Sequence, residues 1–244
     1  MSPPDQIAAH RDRTLSELDA GEQYLTDTRR VWRLTQQLAE AGRRAGVETV
    51  AGESVADLTA LADNAQRYVT GALVESVFQQ TLAAFEAFVA DLLTTWLTAY
   101  PGSLRKKQFE FGLALDAVDR NGVIAGVIAA EVGGLLYEPL AKQFAYLASR
   151  IGIDPPAADR TSQLAEARAT RNVLVHNRGV VNAAYRTLAG ANARYQIGQR
   201  VEVSEPYRRE VWELVRQMVA DLADAALAKL APAAPDLPPP ADPG

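Results

Sequence analysis

The sequence contains no cysteine, which excludes disulfide frameworks and zinc sites built on thiolates. It also lacks a long uninterrupted apolar run. The longest one, Val123 to Leu136, is broken by Glu131 and by three glycines, and it is too short to cross a bilayer. The first residues show neither the charged start nor the apolar segment of a secretory signal. We therefore expect a cytoplasmic protein.

Lysine and histidine are scarce. Of 25 basic residues only four are lysine, and the chain has two histidines. The net charge of −5 argues against a protein that coats nucleic acid without specificity. The charge is uneven, however, because residues 160–210 contain nine arginines and four acidic residues, a net charge of +5. We expect this segment to bind phosphates locally, while the acidic remainder discourages indiscriminate binding.

Apolar residues recur at helical spacing along almost the whole chain, which predicts an all-α fold. One or two N-terminal helices are expected to end near residues 42–46. A long amphipathic helix through residues 73–97 is stopped by Pro101-Gly102. Residues 103–120 give a weaker helical pattern, and residues 123–150 predict a buried helix or a helix pair interrupted by proline.

The segment RNVLVHNRGVVN, residues 171–182, places a histidine five residues after an arginine. Arginine supplies a fixed positive charge for a phosphate, and histidine can accept or donate a proton near neutral pH. Together they provide the chemistry of RNA self-cleavage without a metal. The helix that carries this segment is predicted to begin at Thr161 or Ser162 and to end at Gly179, with His176 in its last turn.

The motif residues are spaced unevenly around that helix. Arg171 and His176 lie about 140° apart on an ideal helix, whereas Asn172 and His176 lie only about 40° apart. We therefore expect the Asn172 amide to hydrogen-bond the imidazole and fix its orientation, while the long Arg171 side chain reaches toward the same phosphate. If two copies of the helix meet across a twofold axis, each contributes its arginine and histidine to one shared cleft.

The segment closely resembles the signature of HEPN domains, in which an arginine is followed by four to six residues and then a histidine, with a polar residue directly after the arginine. Here the polar residue is Asn172. The string RNVLVHNRGVVNAAY, preceded by Glu166, is most similar to the RiboL-PSP type of HEPN protein. Residues 85–104 and 197–214 also fit. The resemblance implies an all-helical, usually dimeric domain, many of whose members are metal-independent endoribonucleases in toxin systems and antiviral defence.

On this resemblance the chain divides into an N-terminal helical extension, residues 1–70, and a HEPN-like antiparallel helical bundle, residues 71–230. The last helix of the bundle is expected to start at Ser204 and run to Leu230. A tail of residues 231–244, with six prolines among fourteen residues, is predicted to be disordered.

The expected reaction has His176 as general base on the 2′-hydroxyl, Arg171 stabilising charge on the phosphate and Asn172 orienting the imidazole. Single-stranded RNA is the expected substrate because in-line attack needs a flexible backbone, and the product would carry a 2′,3′-cyclic phosphate. No metal or cofactor is expected. Three further polar residues are predicted to bind neighbouring parts of the RNA, namely Arg168, Asn177 and Arg178.

Some alternatives remain open. The chain is also compatible with a catalytically silent HEPN module that binds RNA or another protein, and with a helical scaffold in which Arg171 and His176 satisfy buried groups. Glu166 is expected either to form an ion pair with one of the neighbouring arginines or to lie on the helix surface. HEPN toxins that pair with a nucleotidyltransferase antitoxin have a tyrosine where this chain has Arg178, so modification by that route is not expected.

Overall fold

The computed structural model describes residues 1–105, 107–109 and 111–230, and within them the fold is all-α, as predicted. A two-stranded hairpin, β1 (Thr49–Val50) and β2 (Glu53–Ser54), joins the first two helices. The predicted disordered tail lies outside the described residues. The α-helices of the described ranges are α1 (Pro3–Ala45), α2 (Val55–Arg67), α3 (Leu73–Ala99), α4 (Phe111–Asp116), α5 (Arg120–Leu136), α6 (Leu140–Ile151), α7 (Ala158–His176), α8 (Ala183–Ala189) and α9 (Glu205–Leu230).

Helix α1 is a single helix of 43 residues. It begins with a capping box, in which Ser2 accepts a hydrogen bond from the Asp5 backbone and the Asp5 side chain accepts one from the Ser2 backbone. It ends where Gly46 adopts the left-handed conformation at φ 66°. The prediction that N-terminal helical structure ends near residues 42–46 is therefore confirmed.

Helix α3 runs through the centre of the main core. Phe78, Phe85 and Phe88 on this helix are fully buried, and α1, α5, α7 and α9 pack around it. The helix ends at Ala99, just before Pro101-Gly102, because proline there cannot continue the helical hydrogen bonding. The predicted stop at this position is confirmed.

The segment between α3 and α7 agrees with the prediction only in part. Residues 123–150 do form a helix pair, since α5 ends at Leu136 and α6 starts after Pro139. The helix expected over residues 103–120 is wrong in extent. In its place the chain has a 3₁₀ turn, Pro101–Leu104, and the short helix α4. Glycine and proline at the start of this segment favour a turn over a continuous helix.

Residues 30–67, which we call the arm, form a two-helix hairpin from the upper part of α1, the β1–β2 turn and α2. The main core includes Ile7, Leu18 and Leu25 from the lower part of α1. The buried residues of the arm lie outside that core, in a smaller apolar contact between α1 and α2 that we call the seam. The predicted domain boundary at residue 70 lies in a π-helical turn, Tyr68–Ala72, which connects α2 to α3 without a break.

One helical stretch of the described chain, residues 55–99, is long and apolar enough to cross a membrane by length and composition. Half of its apolar window is buried inside the fold. A mostly buried core helix passes the same test, and α3 is the central helix of the main core.

Candidate functional site

The helix that carries the arginine–histidine motif, α7, begins earlier than predicted. Its first residue is Ala158 and its N-cap is Ala157, which has no capping side chain. The expected start at Thr161 or Ser162 is therefore wrong. Pro155 and Pro156 hold the preceding chain extended, so the helix can begin directly after them, and the Ser162 hydroxyl instead donates to the Ala158 carbonyl at 2.7 Å.

The end of α7 agrees with the prediction. His176 is its last residue, and Gly179 adopts the left-handed conformation at φ 77°. The Gly179 backbone N–H donates to the Val173 carbonyl at 3.0 Å, which closes the end of the helix. The Asn177 side chain donates to the Val180 carbonyl and so fixes the turn.

An open cleft of about 540 Å³ lies along α7. Four of the six predicted site residues line it, namely Arg168, Arg171, Asn172 and His176. The opposite walls come from α3, from the turn between α5 and α6, and from α8. The fold thus brings the motif arginine and histidine to one solvent-open space even though they lie on different sides of the helix.

The other two predicted site residues do not line the cleft. Asn177 is half-buried in the turn after α7, where its amide is bonded to the backbone. Arg178 is exposed in the same turn, with a left-handed backbone at φ 53°, and makes no ion pair with any described residue. Arg200 lies beside this turn, because a Cβ added to Gly179 would be 3.8 Å from the Arg200 Cγ.

Glu86 of α3 occupies the base of the cleft. Its Oε1 lies 2.5 Å from Nη2 of Arg171 and 3.0 Å from Nε of Arg168. All three side chains are largely shielded from solvent, with exposed fractions of 18 to 24%. The Nε of Arg171 is buried and makes no hydrogen bond. Arg171 is therefore held by one carboxylate and retains an unused N–H donor.

Arg168 is the more constrained of the two arginines. Besides Glu86 it binds two backbone carbonyls, that of Glu138 at 3.1 Å and that of Leu136. These carbonyls lie at the C-terminal end of α5, where helices leave carbonyl groups without intrahelical partners. Arg168 therefore shapes the wall of the cleft by fixing the α5–α6 turn.

His176 is exposed and Asn172 is half-buried. Of the hydrogen bonds among described side chains, none joins these two residues, so the expected orientation of the imidazole by the Asn172 amide is not made. The exposed imidazole of His176 is hydrated, so a hydrogen bond from Asn172, four residues earlier, would have to compete with water. Among the described residues His176 satisfies no buried group, whereas Arg171 does bind a largely shielded carboxylate, as the scaffold interpretation expects.

Tyr137 stands at the rim of the cleft with its side chain 92% exposed. Neither Tyr137 nor Glu86 is among the site residues predicted from the sequence. Tyr137 follows α5 and Glu86 belongs to α3, and Glu86 precedes Arg171 by 85 positions. The sequence signal for Tyr137 is its position directly after a glycine-rich helical segment.

Glu166, one turn before the motif, is almost completely buried at 2% exposure, so a place on the helix surface is wrong. Its carboxylate accepts hydrogen bonds from the Tyr185 and Tyr207 hydroxyls at 2.9 and 2.7 Å, and its Oε2 lies 3.4 Å from Nε of Arg194. Burial, and then the Glu166 charge, raise the pKa of Tyr185 to about 12 and also raise the pKa of Tyr207. This network fastens α7 to α8 and α9.

Within the described part of the chain, no group of three or more histidine, aspartate or glutamate side chains is placed to hold a metal ion. Comparison with protein-family models, curated proteins and solved structures gives no match to this chain. The chemistry of the cleft itself is therefore the basis for a functional assignment.

Proposed function

We propose that this protein is a HEPN-type endoribonuclease that cleaves single-stranded RNA without a metal ion. One observation carries the proposal: Arg171, Asn172 and His176 all open onto a single cleft. A guanidinium that can neutralise a phosphate and an imidazole that can accept a proton are the two groups that attack by a 2′-hydroxyl requires. The all-α fold supports the HEPN-like bundle that the motif implies.

In the proposed reaction His176 removes the proton from a 2′-hydroxyl, and that oxygen attacks the adjacent phosphorus. The bond to the leaving 5′-oxygen breaks, and that oxygen takes a proton from water or from the histidine of a second chain. Arg171 stabilises the extra charge on the phosphate, since its side chain lines the cleft. The products are a 2′,3′-cyclic phosphate and a free 5′-hydroxyl.

The rim of the cleft fits a single strand of RNA. Tyr137 offers an exposed ring on which an unpaired base can stack, a contact that does not depend on base identity. Arg178 lies on the turn directly after His176, and Arg200 lies beside that turn; neither makes an ion pair among the described residues. A strand crossing the cleft would meet a ring on one side and positive charge on the other.

A second copy of the chain would complete the site. His176 is the last residue of α7 and is exposed, so its imidazole is free to face the same helix of a partner across a twofold axis. We propose such a homodimer, acting in the cytoplasm in a toxin or antiviral-defence role.

A second candidate function, a silent module that binds RNA or a partner protein, is favoured by Glu86. Its carboxylate already forms an ion pair with the Arg171 guanidinium, with 2.5 Å between Oε1 and Nη2. A phosphate therefore has to compete with Glu86 for Arg171. A protein that bound RNA at the rim without displacing Glu86 would not cleave it.

The two functions are separated by incubating labelled single-stranded RNA with the purified protein in EDTA. We expect the parent to cleave and His176→Ala to cleave at least about a hundredfold more slowly, as is typical when a general base is removed. His10→Ala is the matched control, because His10 bonds Thr95 at 3.0 Å far from the cleft, and it should cleave like the parent. Binding without cleavage by the parent would establish the silent module. Equal cleavage by His176→Ala would exclude the proposed site.

A further inference from the structure

The apolar contact between the two helices of the arm is too small to stabilise the arm alone. The two helices meet through residues that are mostly small, and α2 packs against α1 and the π turn that follows it. At Gly42 the helices approach so closely that an added Cβ would lie 2.5 Å from Val55. A two-helix hairpin buries little apolar area and needs a further layer for stability. The buried apolar residues of this seam are Ala39, Val55, Leu58, Ala62 and Ala65.

The same arm exposes larger apolar side chains than it buries. On α1, Tyr24, Val31 and Leu38 are spaced seven residues apart and form one stripe with Leu34, each between 40% and 58% exposed. Tyr24, below the arm, also lines an open groove of about 670 Å³ between α1 and α3. The apolar stripe therefore runs from the arm down onto the body of the protein.

Helix α2 continues this surface. Leu61 is 43% exposed, and Tyr68, seven residues later in the π turn, is 53% exposed. Both are separated from Gln66 by about 140 to 160° around the helix, at 100° per residue. Gln66 faces a small pocket on the opposite flank of the arm, between α1 and α2.

The α1 stripe turns away from that pocket as well. Arg33 and Gln36 line the pocket, and they lie about 160° around the helix from Val31 and Leu34 respectively, at 100° per residue. Leu61 of α2 and the α1 stripe therefore share one face of the hairpin, which we call the apolar face.

The two helices of the arm carry opposite charge. Residues 30–45 of α1 contain four arginines and one glutamate, a net charge of +3. Residues 53–67, which include α2, contain three acidic residues and one arginine, a net charge of −2. At the tip Arg43 and Arg44 stand on α1, while Glu53 lies in β2 and Asp57 in the first turn of α2. This pattern is self-complementary under a twofold rotation.

We propose that the apolar face of the arm binds the same face of a second copy of this chain, about a twofold axis parallel to the arm, to form a four-helix bundle. That rotation lays the basic α1 of each chain over the acidic α2 of its partner, tip to tip. It buries Val31, Leu34, Leu38 and Leu61 and supplies the layer that the hairpin lacks. The inference does not depend on the proposed nuclease function, because it uses no residue of the cleft.

The first test is the mass of the full chain measured by sedimentation velocity across a dilution series. We expect the double variant Leu34→Glu/Leu38→Glu to have at most half the mass of the parent at the same concentration, with unchanged helix content, whether or not the proposed contact through α7 also forms. Ile197→Glu is the matched control, because it also adds a charge at an apolar residue, 64% exposed, away from the arm, and it should keep the mass of the parent. A parent that is monomeric at every concentration, or a Leu34→Glu/Leu38→Glu variant with the mass of the parent, would overturn the proposal.

The second test uses charge exchange between chains. Arg43→Glu/Arg44→Glu and Glu53→Arg/Asp57→Arg should each weaken self-association at least tenfold. An equimolar mixture of the two variants should associate like the parent, because both charge contacts are restored only between unlike chains. Failure of the mixture to associate would contradict the α1-over-α2 arrangement. Flotation of the parent with phosphatidylcholine–phosphatidylserine vesicles would identify a lipid surface as the occupant and would likewise contradict it.

Discussion

At the residue scale the central feature of the cleft is the carboxylate of Glu86 between two arginines. The motif arginine is not free in this structure, so the strength of phosphate binding depends on a residue from α3 as much as on the motif itself. Glu86 has a dual effect. It holds the Arg171 guanidinium in the cleft, and it competes with any anion that enters.

Replacing Glu86 with glutamine should therefore strengthen RNA binding. We expect single-stranded RNA to bind roughly fivefold more tightly, equivalent to about 1 kcal/mol, when one partly shielded competing charge is removed. The measurement is fluorescence polarisation in a His176→Ala background, which prevents cleavage. Glu138→Gln is the control, because this substitution also removes a charge from the cleft, but the Glu138 carboxylate pairs with Lys142 and not with Arg171. Unchanged affinity in Glu86→Gln, or an equal gain in Glu138→Gln, would show that Glu86 does not compete with RNA.

The sequence predicted the motif side of the cleft and missed the opposite side. Arg171, Asn172 and His176 follow one another on one helix, and local spacing is enough to place them near each other. Glu86 could not be identified, because nothing in a single sequence records which distant carboxylate an arginine meets. Burial of Glu166 was missed for a similar reason: glutamate is usually exposed, and its two tyrosine partners come from α8 and α9.

At the element scale the N-terminus of α9 is attached to α1 by a buried arginine. The Arg208 side chain is fully buried, and it donates to Glu22 of α1 and to Glu205 at the start of its own helix. Arg29 of α1 adds another contact between the two helices, 2.5 Å from Glu205. Burial alone would raise the pKa of Glu205, but the hydrogen bonds from Arg208 and Arg29 lower it from 4.5 to about 2.

This carboxylate should make stability depend on acid pH. Because the pKa of Glu205 is lower in the folded chain than in the unfolded chain, its contribution is present above about pH 4.5 and is lost as the pH falls toward 2. Urea unfolding between pH 6 and 2.5 should therefore show a shallower acid decline for Glu205→Gln than for the parent. Glu202→Gln, an exposed residue nearby that makes no ion pair among the described side chains, should leave the slope unchanged. Parallel curves for Glu205→Gln and the parent would rule out this role for Glu205.

Element boundaries were predictable where one residue dictates the backbone. Ser204 followed by Pro206 correctly predicted the start of α9, which begins at Glu205, and Gly179 correctly predicted the left-handed residue after α7. The start of α7 was misplaced because two good capping residues, Thr161 and Ser162, are the fourth and fifth residues of the helix. There tertiary packing and the preceding prolines outweigh capping preference.

At the scale of the whole molecule, the net charge of +5 counted along residues 160–210 is larger than the positive charge that this segment offers to RNA in the folded chain. Most of the arginines of this segment that could face RNA are already paired with acidic residues from other elements. Arg160 binds Asp221, Arg194 binds Glu210, and Arg208 is buried between carboxylates. Arg178, Arg186, Arg200 and Arg209 make no ion pair among the described residues, and of these Arg178 and Arg200 stand beside the cleft. The charge available to RNA is therefore local and small, which suits a specific site better than a coating surface.

If the catalytic site is shared between two chains, activity should depend on concentration. We expect single-turnover cleavage per chain to fall as the protein is diluted below the dissociation constant of the dimer, since each cleft then loses the partner's histidine. The dimer content at each dilution is measured in parallel by sedimentation. Constant activity per chain well below that concentration would mean that one chain is sufficient.

The most direct measurement of the central claim is the chemistry of the cut. An RNA oligonucleotide and its analogue with a single 2′-deoxy residue at the cleaved position are each incubated with the parent protein in EDTA, and the product ends are identified by mass spectrometry. If His176 promotes attack by the 2′-hydroxyl, the RNA gives a 2′,3′-cyclic phosphate and the analogue stays intact at that position. Cleavage of the analogue there, or products with a 3′-hydroxyl, would contradict the account.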